Sequence, residues 1–250
     1  MNGGRSIAPV KGSVRWLLVA LLLWEGLELL RNTGPASFSG RPIGLFELLL
    51  VTLAPVLIAL GFVRLFIAVI GAGYGSLNTY TLTSSPWAWV FWAALALTLA
   101  GHGEHAGAHL LNQAVPEVVR HGDFGVTARF FDETLGHWLL SVGMFAMSSV
   151  ILVLGQGAAR RVVAGEQMLL IVGSVVTYGG GILYIGVEGQ MLTPAIVAAV
   201  GLAAVGLRHL SMWDVDHDPV SLLMLPGAAA GALVLVVWGL VVGGQPTWPW

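Results

Sequence analysis

The chain has few charged residues and no cysteine. Of its 250 residues, 10% are charged and 56% are hydrophobic, whereas a soluble domain carries about 25% charged residues. This shortage of charge excludes an ordinary water-soluble surface. The absence of cysteine excludes disulfides, thiolate metal ligands and a catalytic thiol. The net charge of −2 provides no basic surface, so we expect no nucleic-acid partner.

Lysine is almost absent as well. The single lysine, Lys11, precedes the first long apolar run, and this position excludes a retinal Schiff base deep in a helix. No small-residue cleavage site follows that run, whose end carries Glu25, Glu28 and Arg31 instead. We therefore expect a retained first helix rather than a signal peptide.

Long apolar runs account for most of the chain. A membrane-spanning helix needs about 17–25 mainly apolar residues. On this criterion we predict an all-α, polytopic membrane helix bundle that forms one domain over residues 1–250, with about seven transmembrane helices. The predicted spans are 14–30, 44–71, 87–110, 130–154, 167–188, 194–210 and 219–243. Without the short 194–210 span the count is six, and the C-terminus changes sides.

The distribution of basic residues predicts the orientation, because cytoplasmic loops carry more Lys and Arg than external ones. The predicted N-terminal side has more of them, namely Arg5, Lys11, Arg15, Arg64, Arg160, Arg161 and Arg208. The opposite side has Arg31, Arg41, Arg120 and Arg129. We expect a cytoplasmic N-terminus in the plasma (cytoplasmic) membrane. Nearly all of the basic residues are Arg, and Gly, Ala and Val are abundant, which favours a bacterial or archaeal source.

Histidine is concentrated in one stretch, since five of the seven histidines fall between Gly101 and His137. At about 100° per residue, His102, His105 and His109 lie within an arc of about 60° on the third predicted helix, and Asn112 extends that arc. Neutral imidazole is the commonest metal ligand. Ionisable groups within a membrane segment are expensive and point to function, so the column predicts a metal site.

The fourth predicted helix begins with a second polar group. Glu133 and His137 are four residues apart and share a helical face, whereas Asp132 lies about 100° round. On α-helical geometry, Asp132 reaches the same centre only from the helix end. Helices three and four are joined by a modest link, so we expect antiparallel neighbours that bring both polar groups to one membrane level.

The alternation of helices brings more carboxylates to the same level. Glu25 and Glu28 end the first predicted helix, Glu47 begins the second, and Glu188 ends the fifth. With seven alternating helices, these ends all reach the outer side. We therefore predict one polar layer near the outer membrane face.

The residues of this layer suggest specific roles. We predict six metal ligands: His102, His105, His109, His137, Asp132 and Glu133. We predict Glu133, Glu188 and Asp132 as catalytic carboxylates that supply a general base for metal-bound water. Nitrogen and oxygen ligands without sulfur favour Zn or Fe, with Mn as a further candidate, and the set suffices for one or two ions.

Several functions fit this pattern. The leading interpretation is a metal-dependent membrane enzyme, a hydrolase or an oxidoreductase, that acts on a lipid or another hydrophobic substrate. The alternatives are a non-catalytic subunit with partner membrane subunits, an ion or proton transporter, and a wet interfacial turn whose histidines contact only water and headgroups. We predict that the second polar cluster, His209 to Asp218, is a solvated loop in which Asp218 or Ser221 caps the last helix.

Overall fold

The structure, a computed structural model, describes residues 8–31, 44–74, 82–155, 162–187, 191–210 and 218–244. Within these ranges every regular element is helical. The α-helices are α1 Ala8–Arg31, α2 Leu45–Tyr74, α3 Pro86–Ala114, α4 Glu117–Arg120, α5 Asp123–Arg129, α6 His137–Gly155, α7 Ala164–Ser174, α8 Gly180–Val187, α9 Leu192–Leu210 and α10 Pro219–Val242. Two π-helical turns interrupt them: π1, Phe130–Gly136, joins α5 to α6, and π2, Val175–Gly179, joins α7 to α8.

The helical architecture is that of a membrane protein. Four continuous helical stretches are long and apolar enough to cross a membrane, namely Leu45–Ala72, Asp123–Gly155, Ala164–Val187 and Pro219–Val242. These stretches confirm the predicted membrane helix bundle. The remaining predicted spans fall on α1 and α3, each of which carries several ionisable groups, and on α9, whose apolar part is the shorter Leu192–Val205. The count of seven spans stays a prediction.

Polar caps determine where two of the helices begin. Ser85 Oγ accepts a hydrogen bond from Ala88 N at 3.1 Å, and Pro86 occupies the first position of α3. Asp218 accepts hydrogen bonds at 3.2 Å from the backbone N–H groups of Val220 and Ser221 at the start of α10. The predicted capping role of Asp218 is confirmed, whereas the loop before it lies outside the described residues.

Ion pairs join the beginnings of α1 and α7. Glu166, in the first turn of α7, lies 2.8 Å from Arg15 Nη2 and 3.7 Å from Lys11 Nζ. Both helices therefore begin at the same end of the bundle. The other end of α1 lies where α2 begins and α3 finishes, since Glu28, Glu47 and His109 line one cavity. This arrangement agrees with the predicted alternation.

Close backbone contact joins α3 to π1 and α6. A methyl group on Gly136 would lie 2.9 Å from the backbone N and Cβ of His105, and one on Gly101 would overlap the backbone of Leu140. Small residues at such crossings let helices approach closely, and in a membrane this packing replaces the hydrophobic effect as the main source of helix association. The antiparallel pairing predicted for these two segments is confirmed, and it sets His105 directly against π1.

Candidate functional site

The π1 turn determines which acidic residue faces α3. In a π-helix the hydrogen bonds run from residue i to i+5, so each turn holds more residues than an α-turn and the side chains rotate relative to an α-helical wheel. Asp132 is only 3% exposed, and its carboxylate faces the histidines of α3. The sequence-based expectation that Asp132 points about 100° away from this centre assumed α-helical geometry, and the π-turn removes that assumption.

Asp132 bridges two histidines of α3. His105 Nδ1 lies 2.7 Å from Asp132 Oδ1 and donates a hydrogen bond to the Asp132 backbone carbonyl at 3.2 Å. His109 Nδ1 lies 3.6 Å from Asp132 Oδ2. The direction at Oδ1 is poor, and this buried atom accepts no well-directed hydrogen bond from the residues that the structure describes. One carboxylate thus contacts two imidazole rings that are one helical turn apart.

Glu47 is a second carboxylate at the same place. It is 7% exposed, and its Oε1 lies 3.2 Å from His109 Nε2. Both nitrogens of His109 therefore face carboxylate oxygens. The sequence placed Glu47 in the polar layer without assigning it a role. Glu47 connects α2 to the histidines of α3.

His137 is the most deeply buried member of the group. It is 1% exposed, and its Nδ1 donates to the backbone carbonyl of Glu133 at 3.0 Å. This bond leaves Nε2 as an unprotonated lone pair, and no hydrogen-bond partner for it exists among the described residues. The ring centroid lies 4.6 Å from that of His105 and 5.9 Å from that of Tyr184. Buried polar atoms are normally satisfied, so this nitrogen indicates a place for a missing partner.

His102 has a different environment from the other two histidines of the column. Its Nε2 lies 3.1 Å from the backbone carbonyl of Val51 on α2 and donates to it. Its ring meets the edge of Trp24 at a centroid distance of 6.3 Å. His102 therefore connects α3 to α1 and α2, and it does not share the Asp132 contacts. A backbone acceptor such as Val51 is invisible to sequence patterns.

A small cavity, which we call the histidine cavity, lies beside the histidines of α3. Its volume is about 30 Å³, and its walls include the three histidines of α3 together with Glu28, Glu47 and Tyr184. A water molecule needs roughly 10–15 Å³ of such volume, so the space admits about two. The prediction that Glu28 and Glu47 reach the level of the histidines is confirmed.

The remaining predicted site residues have different outcomes. Glu133 is half-buried, and its backbone carbonyl is the group that holds His137. Glu188 lies outside the described residues, and so does the side chain of Asn112. Neither of the two is placed by the structure.

The fit of a metal ion can be tested on these contacts. Within the described ranges, no three His, Asp or Glu side chains already converge on one centre. Asp132 and Glu47 instead contact imidazole nitrogens. One arrangement, shared by two histidines, nevertheless suits a metal. His105 and His137 each present Nδ1 to an oxygen atom, which leaves Nε2 as a lone pair. Metal-binding histidines are typically oriented in this way by an outer carboxylate or carbonyl.

Comparisons with known proteins add no functional information. No family model, curated protein or solved structure matches this chain. Because function depends on the site rather than on the fold, it has to be inferred from the chemistry of the residues around the histidine cavity.

Proposed function

We propose that the protein is a metal-dependent membrane enzyme that acts on a lipid or another hydrophobic substrate. The observation that carries the proposal is the shared arrangement of His105 and His137. Each ring has its Nδ1 held by an oxygen, Asp132 for one and the Glu133 carbonyl for the other. The buried Nε2 of His137 has no partner in the described part of the chain. A metal ion is the partner that two such lone pairs favour.

In this proposal His105 and His137 are the first ligands. Asp132 and Glu133 are the nearby carboxylates that complete the ligand set or act as general base. His102 and His109 are further ligand candidates that must first exchange their contacts with Val51 and Glu47. Zn or Fe is the expected metal, with Mn as a further candidate, because the donors are nitrogen and oxygen. When bound, the metal would activate a water molecule or polarise a substrate oxygen.

The surroundings of the site support a hydrophobic substrate. Four helical stretches are apolar enough to lie in a bilayer, and a second, mainly apolar cavity adjoins the histidine cavity. The distribution of Arg and Lys favours a cytoplasmic N-terminus in the plasma membrane. The histidine site then lies near the outer face.

Metal analysis of the purified protein tests the proposal. We expect about one or two metal ions per chain in the wild type, and a loss of most of this metal in H105A and in H137A. His121 is the matched control, because it is exposed and, among the described residues, its ring bonds only the Glu117 carbonyl in the first turn of α4. H121A should keep the wild-type metal content. Equal, substoichiometric metal in all four proteins would contradict the proposal.

A proton or ion pathway is the second candidate, favoured by one specific observation. The contacts Glu47–His109, His109–Asp132 and Asp132–His105 form a continuous chain of ionisable groups. Such chains build proton relays in membranes. Proteoliposomes distinguish the two functions. A pH-driven flux that D132N abolishes, together with metal-free wild-type protein, would replace the enzyme by a transporter.

A further inference from the structure

Glu47 is a buried carboxylate of the polar layer to which the proposed function assigns no role. It lies in the first turn of α2, is 7% exposed, and lines the histidine cavity. Asp132 does not line this cavity, although its carboxylate contacts two histidines of α3. An ion in the cavity therefore lies beside Glu47 rather than beside Asp132.

Asp132 has the position of an orienting group for two imidazole rings. Its Oδ1 lies 2.7 Å from His105 Nδ1, and its Oδ2 lies 3.6 Å from His109 Nδ1. The two rings are nearly parallel, with an angle of 28° between their planes. An outer carboxylate at one ring nitrogen is the usual partner of an imidazole that binds a metal through its other nitrogen. Asp132 thus leaves Nε2 of both rings as the metal-binding nitrogen.

The spacing of Glu47 and His109 suits two ligands of one ion. Glu47 Oε1 lies 3.2 Å from His109 Nε2. Zinc binds oxygen and nitrogen at about 2.0–2.1 Å in tetrahedral geometry, which places two neighbouring ligand atoms about 3.3 Å apart. An ion can therefore replace the hydrogen between these two atoms with little movement of either side chain. His109 keeps its contact with Asp132 in this exchange, because that contact is made by Nδ1.

The histidine cavity provides the room for such an ion. Its volume of about 30 Å³ suffices for about two water-sized groups. His105 lines it as well, one helical turn from His109, and Asp132 contacts this ring at Nδ1 rather than at Nε2. Two imidazole rings and one buried carboxylate therefore border a space that suffices for one ion and one water molecule.

We propose that Glu47 is the carboxylate ligand of the metal ion, that His109 Nε2 is the neighbouring ligand, and that Asp132 orients the imidazole rings from outside. The inference rests on the proposed function and deepens it, since it decides which carboxylate binds the metal. It also makes the ion a link between the beginning of α2 and the end of α3. The competing explanation is an ion pair between Glu47 and a protonated His109 that only joins the two helices.

Cobalt(II) binding to the full-length protein in detergent separates the two explanations. The visible absorption bands of bound Co²⁺ depend on the atoms that coordinate it, and competition with a calibrated chelator gives the affinity. E47Q keeps the size of the side chain but removes the carboxylate. We expect E47Q to shift the bands and to bind Co²⁺ more than about 100-fold more weakly than the wild type, which exceeds the effect of losing an outer partner. D132N should weaken binding by only about 10–100-fold and should keep the band positions.

Two further variants make the test specific. E104Q is the matched control, because Glu104 lies on α3 among the histidines in sequence but is exposed. It should keep the wild-type affinity and bands. If E47Q does not fold, E47H provides the test, since an imidazole can bind the metal but cannot form the ion pair with a protonated His109. We expect E47H to retain Co²⁺ with shifted bands. Wild-type bands in E47H, or loss of Co²⁺ from the folded variant, would overturn the proposal.

The failure of this inference and that of the metal proposal give different results. Wild-type affinity in E47Q, or weaker binding with wild-type bands, would overturn the role of Glu47 and leave the ion pair as the explanation of its contact with His109. A wild type that carries no metal and binds no Co²⁺ would instead remove the metal enzyme itself. Stoichiometric metal that H105A removes but E47Q keeps would remove only the assignment of Glu47.

Discussion

The two π-turns have the same winding but different surroundings. At π2 the polar groups are satisfied by protein partners. Ser174, just before the turn, accepts a hydrogen bond from Gly227 N at 2.8 Å, and Tyr178 bonds Ser148. At π1 two buried atoms, Asp132 Oδ1 and His137 Nε2, have no well-directed hydrogen bond from the described residues.

This difference separates a turn whose polar groups are satisfied from a turn whose buried polar atoms are not. Gly227 allows α10 to contact the backbone of Ser174 at π2, and the result is a closed, satisfied interface. Gly136 allows equally close contact with His105 at π1, but there the contact brings ionisable groups together. A π-turn is therefore not evidence of function by itself. The unsatisfied atoms beside π1 are what distinguish it.

The largest expected effect comes from filling the close contacts at both turns. G101A and G227A should each lower the free energy of unfolding by about 1–3 kcal/mol or more, because overpacking against backbone cannot be relieved by a side-chain rotation. Only G101A should also lower the metal content, since it displaces π1. Unfolding in detergent, followed by metal analysis, measures both quantities.

The control for these substitutions lies on the same helix as Gly101. A methyl group on Gly103 meets open space, so G103A should be neutral or slightly stabilising through its higher helix propensity. Loss of metal in G227A, or a stable and metal-loaded G101A, would contradict the distinction between the two turns.

A smaller effect is expected from the polar groups of the turns. D132N keeps the size of the side chain but removes the charge that orients His105, and we expect 10–100-fold weaker metal binding. S174A changes the corresponding group near π2 and should leave the metal affinity unchanged. Competition with a calibrated chelator measures both affinities. Equal affinities in D132N and wild type would show that Asp132 does not support the metal.

The smallest effect is expected for the hydroxyl pair at π2. Y178F should cost about 0.5–1.5 kcal/mol of unfolding free energy through the lost hydrogen bond to Ser148. The S148A/Y178F double variant should cost less than the sum of the single variants, because it removes both hydroxyl groups, whereas each single variant leaves one hydroxyl without its partner. Thermal unfolding of the three variants measures this coupling. A strictly additive result would mean that the pair contributes no stability.

Much of the fold and of the polar layer follows from the sequence. Apolar runs and their punctuation predicted where the long helices lie, and alternation brought Glu28 and Glu47 to the level of the α3 histidines. The contact between Asp132 and His105 could not be predicted in the same way. A helical wheel of 100° per residue assumes α-helical geometry, and it does not reveal a π-turn. The acceptor for His102 is a backbone carbonyl, and any residue type at Val51 would present the same group.

The paired glycines at the crossing of α3 and π1 connect the site to a compact sequence signature. Gly101 and Gly136 lack side chains because the two backbones meet there, and His105 and Asp132 each lie four residues from one of these glycines. Divergent relatives that retain the site should therefore share two short sequence motifs, Gly-x3-His-x3-His and Asp-x3-Gly-His. Such relatives can be recognised by the presence of both motifs rather than by overall sequence identity.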